Sequence, residues 1–182
     1  NKKNLAVRFP NHKVFKTLLR SLDYPLAAPS ANVSNGLSPI QALDVKEEFG
    51  SNIKFILDGG KCNVGLESTI INLTNKPTLL RLGGLDILKI KKILGKKIFI
   101  NINPKKKNSP GQSKLHYSPG IPLKMNIKKP KKDQAFILIK KRKINSNNYY
   151  YLSKKNNLNE AAKNLYFCLR KIKNKNYKSI AV

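Results

Sequence analysis

The densest group of functional side chains is Ala27-Ala28-Pro29-Ser30-Ala31-Asn32, followed by Ser34, Gly36 and Ser38. Small residues let a backbone come close to a ligand, and Ser and Asn can donate to phosphate oxygens. A helix starting at Ser38 would aim its free amides at the same place and form an anion site. The same residues also make ordinary turn chemistry before a capped helix, so alone they decide little. In Gly65-Leu66-Glu67-Ser68-Thr69 a carboxylate and two hydroxyls enter an apolar run, either over a pocket or at a solvated strand end. Arg81, in Leu80-Arg81-Leu82-Gly83-Gly84, stands at a strand end before a glycine turn. Ser109-Pro110-Gly111 and Leu115-His116-Tyr117-Ser118-Pro119 share one long loop. Loops of that length are usually functional or disordered, and His-Tyr between prolines fits disorder poorly. Arg8 and His12, in Val7-Arg8-Phe9-Pro10-Asn11-His12, complete the set.

The elements that must position these groups follow from periodicity. Val14, Phe15, Leu18, Leu19 and Leu22 predict a helix over 11–22 with Asn11 as its N-cap, closed off by Pro25. A second helix is expected from Ser38 to Phe49, with Ser38 and Gln41 as a capping box, Pro39 in the first turn and Gly50 at the left-handed end. Strands are expected at 54–57, ending in Asp58-Gly59-Gly60, and at 68–73 and 78–82; helical period returns over 85–94, up to Gly95. Residues 101–122 are rich in Pro, Asn, Lys and Gly and predict a linker or ordered loop. Beyond it, strands are expected at 135–139 and 149–152. A helix over 157–173 should bury Leu158, Ala161, Ala162, Leu165, Leu169 and Ile172, and a strand should begin at Lys178. Strands alternating with helices predict α/β architecture.

A chain of 182 residues holds one ordinary domain and part of a second. No run is apolar and long enough to span a bilayer and no signal-peptide pattern opens the chain, so the expectation is a soluble cytoplasmic protein without membrane contact. Cys62 and Cys168 are far apart and provide neither zinc spacing nor a disulfide framework. The formal charge is +28, from 37 basic against 9 acidic residues. Such a field attracts ATP and RNA. Most of the excess is lysine among abundant Asn and Ile, which an AT-rich genome would impose on any surface. Weak RNA binding therefore stays open on charge alone.

Taken in order, Val-Arg-x-Pro-x-His, Ala-Pro-Ser-Ala-Asn-x-Ser, Ser-Pro, Asp-Gly-Gly, Glu-Ser-Thr, Leu-Arg-x-Gly and Ser-Pro-Gly…His-Tyr-Ser-Pro resemble the L-threonylcarbamoyladenylate synthases in their long form. The resemblance covers nearly the whole chain. It implies the C-terminal part of a YrdC-like twisted-sheet domain over 1–100, a linker or lid over 101–122, and the start of a small Rossmann-like α/β domain over 123–182. The last part includes Glu160-Ala161-Ala162-Lys163-Asn164-Leu165-Tyr166 and Leu169-Arg170. It further implies that Arg8, Ala28 and Ser68 hold threonine, Arg8 pairing with its carboxylate through a charge-assisted fork. Ser30, Asn32, Ser38, Arg81 and Tyr117 would contact ATP, Tyr117 from a loop closing over the nucleotide.

The implied reaction joins L-threonine, bicarbonate and ATP into threonylcarbamoyl-AMP and pyrophosphate, with Mg2+ expected beside ATP as substrate. The product would pass to the tRNA threonylcarbamoyl transferase machinery. No catalytic side chain is assigned, because positioning and charge neutralisation suffice. The family's fold should begin roughly a hundred residues before Arg8, on the usual size of such domains, and carry a basic Lys-x-Arg element that this chain lacks. The 182-residue chain alone is accordingly expected to be inactive. Leu82 stands where proline usually follows the motif arginine. Other readings are a non-catalytic RNA-binding YrdC-like module, weakened by the lack of aromatics interleaved with the basic residues, and an inactive fragment. A hydrogenase-maturation carbamoyltransferase would need zinc-finger cysteines that are absent.

Overall fold

A computed structural model describes residues 4–102, 109, 111–112, 116–143 and 146–182. The expected positions Pro110, Lys114 and Leu115 lie outside the described residues.

Helix α1 is Lys13–Arg20. Its N-cap is His12 rather than Asn11: His12 Nδ1 accepts from the Phe15 amide at 3.4 Å, while Nε2 stands 3.1 Å from the Gly59 carbonyl. One tautomer, with the proton on Nε2, serves both contacts. Helix α2 is Ala42–Phe49, four residues later than the capping-box pattern predicts. Gln41 stands at the N-cap without a side-chain cap hydrogen bond, and Asp44 in the first turn reaches back to the Ile40 amide at 2.8 Å and to the Gln41 side chain at 3.2 Å, so the capping box expected of Ser38 and Gln41 does not form. Gly50 ends the helix at the expected position with a positive φ of 52°, but its ψ of −128° lies outside the left-handed helical conformation expected there.

The first sheet has the order β1-β2-β3, with β1 Ile70–Asn72, β2 Thr78–Arg81 and β3 Phe99–Ile100. Strands β1 and β2 are antiparallel, with an irregularity between Ile70 and Ile71. Helix α3 (Ile87–Leu94) then crosses over to a parallel β3. It is capped by Asp86, which accepts from the Leu88 amide at 2.8 Å, and by a left-handed Gly95. Alternation along β2 buries Leu79 and Arg81 on one face and leaves Thr78 and Leu80 half-buried. The run 54–57 is not a strand: none of the described strands pairs with it, and Phe55 is 91% exposed.

The second sheet is entirely parallel, in the order β4-β7-β5-β6: β4 Leu123–Lys124, β5 Gln134–Lys140, β6 Tyr149–Ser153 and β7 Ser179–Ala181. The start of β5 is buried at four successive residues, as for a parallel strand covered on both faces. Helix α4 (Leu158–Lys173) joins β6 to β7, and its N-cap Asn157 accepts from the Glu160 amide at 3.0 Å. Ala161, Leu169 and Ile172 are buried as expected, but Leu158 is 69% exposed, and Tyr166 and Cys168 are buried instead. The helix is covered on two sides, so its buried surface is wider than one amphipathic stripe. Leu37 and Ile40 join Ala135, Ile137, Leu152, Leu169, Ile172 and Ile180 in one core cluster, so the segment before α2 packs into the second unit. Among the described residues no helix is long and apolar enough to cross a membrane.

Candidate active site

Arg81 is the centre of the site. Burial at the end of β2 leaves its side chain 9% exposed, so its guanidinium needs several acceptors. Nε donates to the Ser68 carbonyl at 2.9 Å, Nη1 to the Tyr117 hydroxyl at 2.6 Å, and Nη2 lies 3.6 Å from Glu67 Oε2. The turn after Arg81 makes this possible. A Cβ on Gly83 would stand 2.3 Å from both the Glu67 carbonyl oxygen and the Thr69 amide, so only glycine lets the two backbones close. The Gly84 amide completes the contact by donating to the Glu67 carbonyl at 2.9 Å.

Glu67 links this arginine to Ser38, whose hydroxyl donates to Glu67 Oε1. Ser38 is 8% exposed, and this bond occupies the hydroxyl that the sequence pattern gave to a helix cap. The Tyr117 ring lies 6.0 Å from that of Tyr166 and 5.1 Å from that of His116. Burial raises the Tyr117 phenol above its usual pKa and the Glu67 charge adds to this, while Arg81 and Arg8 pull it back. Burial likewise raises Tyr166, with Glu67 and Tyr117 adding to the effect. Both phenols stay neutral hydrogen-bonding groups at neutral pH.

Glu67, Arg81, Tyr117 and Tyr166 line a cavity of about 370 Å³, together with Leu66, Leu80, Leu82 and Ile102. That volume is typical of small-ligand sites, ~300–1,000 Å³. One wall carries a buried cation paired with the Glu67 carboxylate, beside two phenols, and Leu66, Leu80, Leu82 and Ile102 make the apolar remainder. The described part of the 109–119 loop packs directly on this wall. Gln112 Nε2 donates to the Leu80 carbonyl at 3.1 Å, and the Ser118 amide donates to the Asn35 carbonyl at 2.9 Å. Asn32 donates to the Val33 and Gly36 carbonyls at 2.9 and 3.1 Å, which shapes the loop leading to Ser38. Asn32 Oδ1, Ser109 Oγ and His116 Nδ1 are buried without a hydrogen-bond partner among the described residues.

The structure therefore brings Ser38, Arg81 and Tyr117 together. Arg8, Ala28, Ser30 and Ser68 are solvent-exposed. Arg8 is close enough for its charge to act on Tyr117, and Ser68 takes part through its carbonyl. Sequence reasoning noticed Glu67 without assigning it a role, and it missed Tyr166 and Gln112. Glu67 lies 29 residues from Ser38, a separation at which no local pattern operates. Among the described residues no three His, Cys, Asp or Glu side chains gather as a metal site.

A family model described as "Telomere recombination" matches residues 1–83, and one described as "Threonylcarbamoyl-AMP synthase, C-terminal domain" matches residues 85–182. A threonylcarbamoyl-AMP synthase of Pyrococcus abyssi is 41% identical over 123 residues, which is 63% of this chain and 35% of that protein. One from Schizosaccharomyces pombe is 40% identical over 127 residues, 64% of this chain and 31% of the relative. The crystal structure of P. abyssi Sua5 complexed with L-threonine superposes with a TM-score of 0.80 at 29% identity, covering 96% of this chain and 56% of that one. This chain thus spans about a third of the length of these curated relatives. With the C-terminal model matched along its second half and the fold shared, the chain belongs to the threonylcarbamoyl-AMP synthase family.

Proposed function

We propose that the protein carrying this chain condenses L-threonine, bicarbonate and ATP into threonylcarbamoyl-AMP and pyrophosphate. The observation that carries the reading is Arg81, a cation held in a cavity wall by strand β2 and contacted by Tyr117 from the 101–122 segment. The threonine amine adds to bicarbonate, losing water, and becomes a carbamate. A carbamate oxygen then attacks the α-phosphorus of ATP, and the bond to the β-phosphate breaks with its electron pair leaving on pyrophosphate. The chain's part is to bind, orient and exclude water. Arg8 would pair with the threonine carboxylate, with Ala28 and Ser68 beside it. Ser30, Asn32, Ser38 and Arg81 would hold the nucleotide, and Tyr117 would cover it. Glu67 is the carboxylate lining the cavity, and Ser38 and Arg81 already face its oxygens. Mg2+ would accordingly arrive with ATP, held by the phosphates.

In the same reading residues 1–100 belong to the catalytic domain, 101–122 to a lid, and 123–182 to the C-terminal domain. The product goes to the tRNA threonylcarbamoyl transferase machinery in the cytoplasm. Arg81→Ala in the full-length protein tests the assignment, with Arg81→Lys as a control that keeps the charge. Loss of a charge-assisted bond should weaken ATP binding roughly tenfold to hundredfold, and threonine binding should stay within about twofold of wild type. Equal losses for both ligands would remove Arg81 from the nucleotide site. A full-length wild type without threonine-dependent pyrophosphate release would overturn the function itself.

A further inference from the structure

We propose that Arg170, on helix α4 of the second unit, is a positioning residue for the site of the first: by holding the carbonyls of Leu37 and Ser38 it fixes the turn from which Ser38 reaches Glu67 and on which Ser118 docks. The effect on catalysis rests on the function proposed above; the effect on geometry does not.

Helix α4 has two working faces. Ala161, Cys168, Leu169 and Ile172 fall on one side by helical spacing and are buried in the core cluster with strands of the second sheet. Lys163, Tyr166 and Arg170, three and four residues apart, fall on the other. Lys163 and Arg170 meet the first unit, and Tyr166 meets the 101–122 segment beside it. The backbone of Lys163 lies so close to Gly65 that a Cβ there would stand 2.4 Å from the Lys163 carbonyl oxygen. The Tyr166 ring neighbours Tyr117 across the cavity wall. Arg170 donates through Nη2 to the Leu37 carbonyl at 2.6 Å and to Glu48 Oε2 at 2.9 Å. Its Nε donates to the Ser38 carbonyl at 3.3 Å and stands 3.6 Å from Asp44 Oδ2.

The loop held in this way bears the site. Glu48 accepts from the Val33 amide at 2.8 Å as well as from Arg170, so the guanidinium grips the loop both directly and through α2. At its centre Asn35 adopts φ 67° and presents its carbonyl to the Ser118 amide; at its end Ser38 points its hydroxyl at Glu67, the partner of Arg81. A lysine could replace the charge of Arg170 but not the planar fork that meets two carbonyls and two carboxylates together. Arg170→Lys should therefore keep the fold and loosen the turn.

In the full-length protein, amide hydrogen exchange provides the test that is independent of activity. Arg170→Lys should speed exchange at Ser118, which Arg170 does not touch, by roughly tenfold, while Ile137 and Leu138 in β5 keep their wild-type rates. Glu48→Gln, a milder change to the same grip, should speed Ser118 by a smaller factor. Wild-type exchange at Ser118 in both variants would overturn the proposal. In threonine-dependent pyrophosphate release, Arg170→Lys should lower kcat about tenfold with the threonine KM within about twofold. Combined with Ser38→Ala it should add nothing to the loss from Ser38→Ala alone, whereas independent, multiplied losses would overturn it. Absent pyrophosphate release in wild type would end the proposed function, while Ser118 exchange would still decide the role of Arg170.

Discussion

Tyr117→Phe removes one atom from the contact that ties the 101–122 segment to β2. In the wild type Arg81 Nη1 donates to the Tyr117 hydroxyl at 2.6 Å in a part-buried setting. Gly111 closes the site from the other side: a Cβ there would lie 2.8 Å from Arg81 Cδ and 3.3 Å from the Tyr117 hydroxyl. Phenylalanine keeps the ring contacts to His116 and Tyr166 but leaves a guanidinium N–H without its acceptor. A hydrogen bond to a charged group contributes about 1.5–3 kcal/mol, which corresponds to a tenfold to hundredfold change in the ratio of docked to undocked segment. Tyr117 is only half-buried, which puts the expected effect at the lower end. The segment would be loosened but not released, because Gln112 on the Leu80 carbonyl and Ser118 on the Asn35 carbonyl remain. Limited trypsin cleavage within 101–122 reads this ratio directly when opening is fast compared with cleavage. The Phe variant should be cleaved about ten times faster than wild type, the Ala variant faster still, and the melting temperature should barely move. A Phe variant cleaved at the wild-type rate would refute the claim that this hydroxyl holds the segment down.

Gly65→Ala would force a side chain into a left-handed backbone, φ 71°, against the Lys163 carbonyl at 2.4 Å. It should lower the melting temperature by more than about 5 °C, and an unchanged melting curve would argue against the close approach. The two thiols should separate cleanly in an aromatic-disulfide assay at pH 8, Cys62 labelling in the native protein and Cys168 only at the unfolding rate, because one is exposed and the other buried. Burial also pushes Cys168 from 9.0 up to about 12. Its stabilising contribution is therefore complete below about pH 9 and is lost as pH rises toward the folded value. The urea midpoint should consequently fall less steeply between about pH 9 and 11 in Cys168→Ala than in wild type, and equal slopes would refute the linkage.

What could be read from the sequence follows the distance over which each feature is determined. Helix α3 was legible to within two residues at its start and to the residue at its end, because the apolar period and Gly95 are local signals; its cap Asp86 is local too but went unread. The end of α2 at Gly50 was legible for the same reason, but its start was not. Ser38 and Gln41 have the right spacing for a capping box, yet Asp44 reaches back to the Ile40 amide while Ser38 turns toward a carboxylate 29 residues away. Residues 54–57 have the composition of a strand but gain no ladder, since strand formation depends on a neighbour more than on propensity.

The site divides in the same way. Arg81 stood out as a cation at a strand end before two glycines and Tyr117 as an aromatic in a proline-bounded loop, but their place in the site was implied by the family resemblance. Glu67 was seen but looked like any solvated strand end until its partners were known. Tyr166 and Arg170 stood in the stretch that resembles the family's C-terminal domain, but the amphipathic reading of α4 named only its apolar face and gave neither of them a role. A helix packed on one surface presents one apolar stripe. A helix shared between two units needs a second buried face, and that face can be polar where the neighbour offers carbonyls and carboxylates. Arg170, opposite the Ala161–Ile172 stripe, supplies such a face, and Tyr166, at the edge of the core cluster, extends it to the cavity, so that together they tie the second unit to the wall around Arg81.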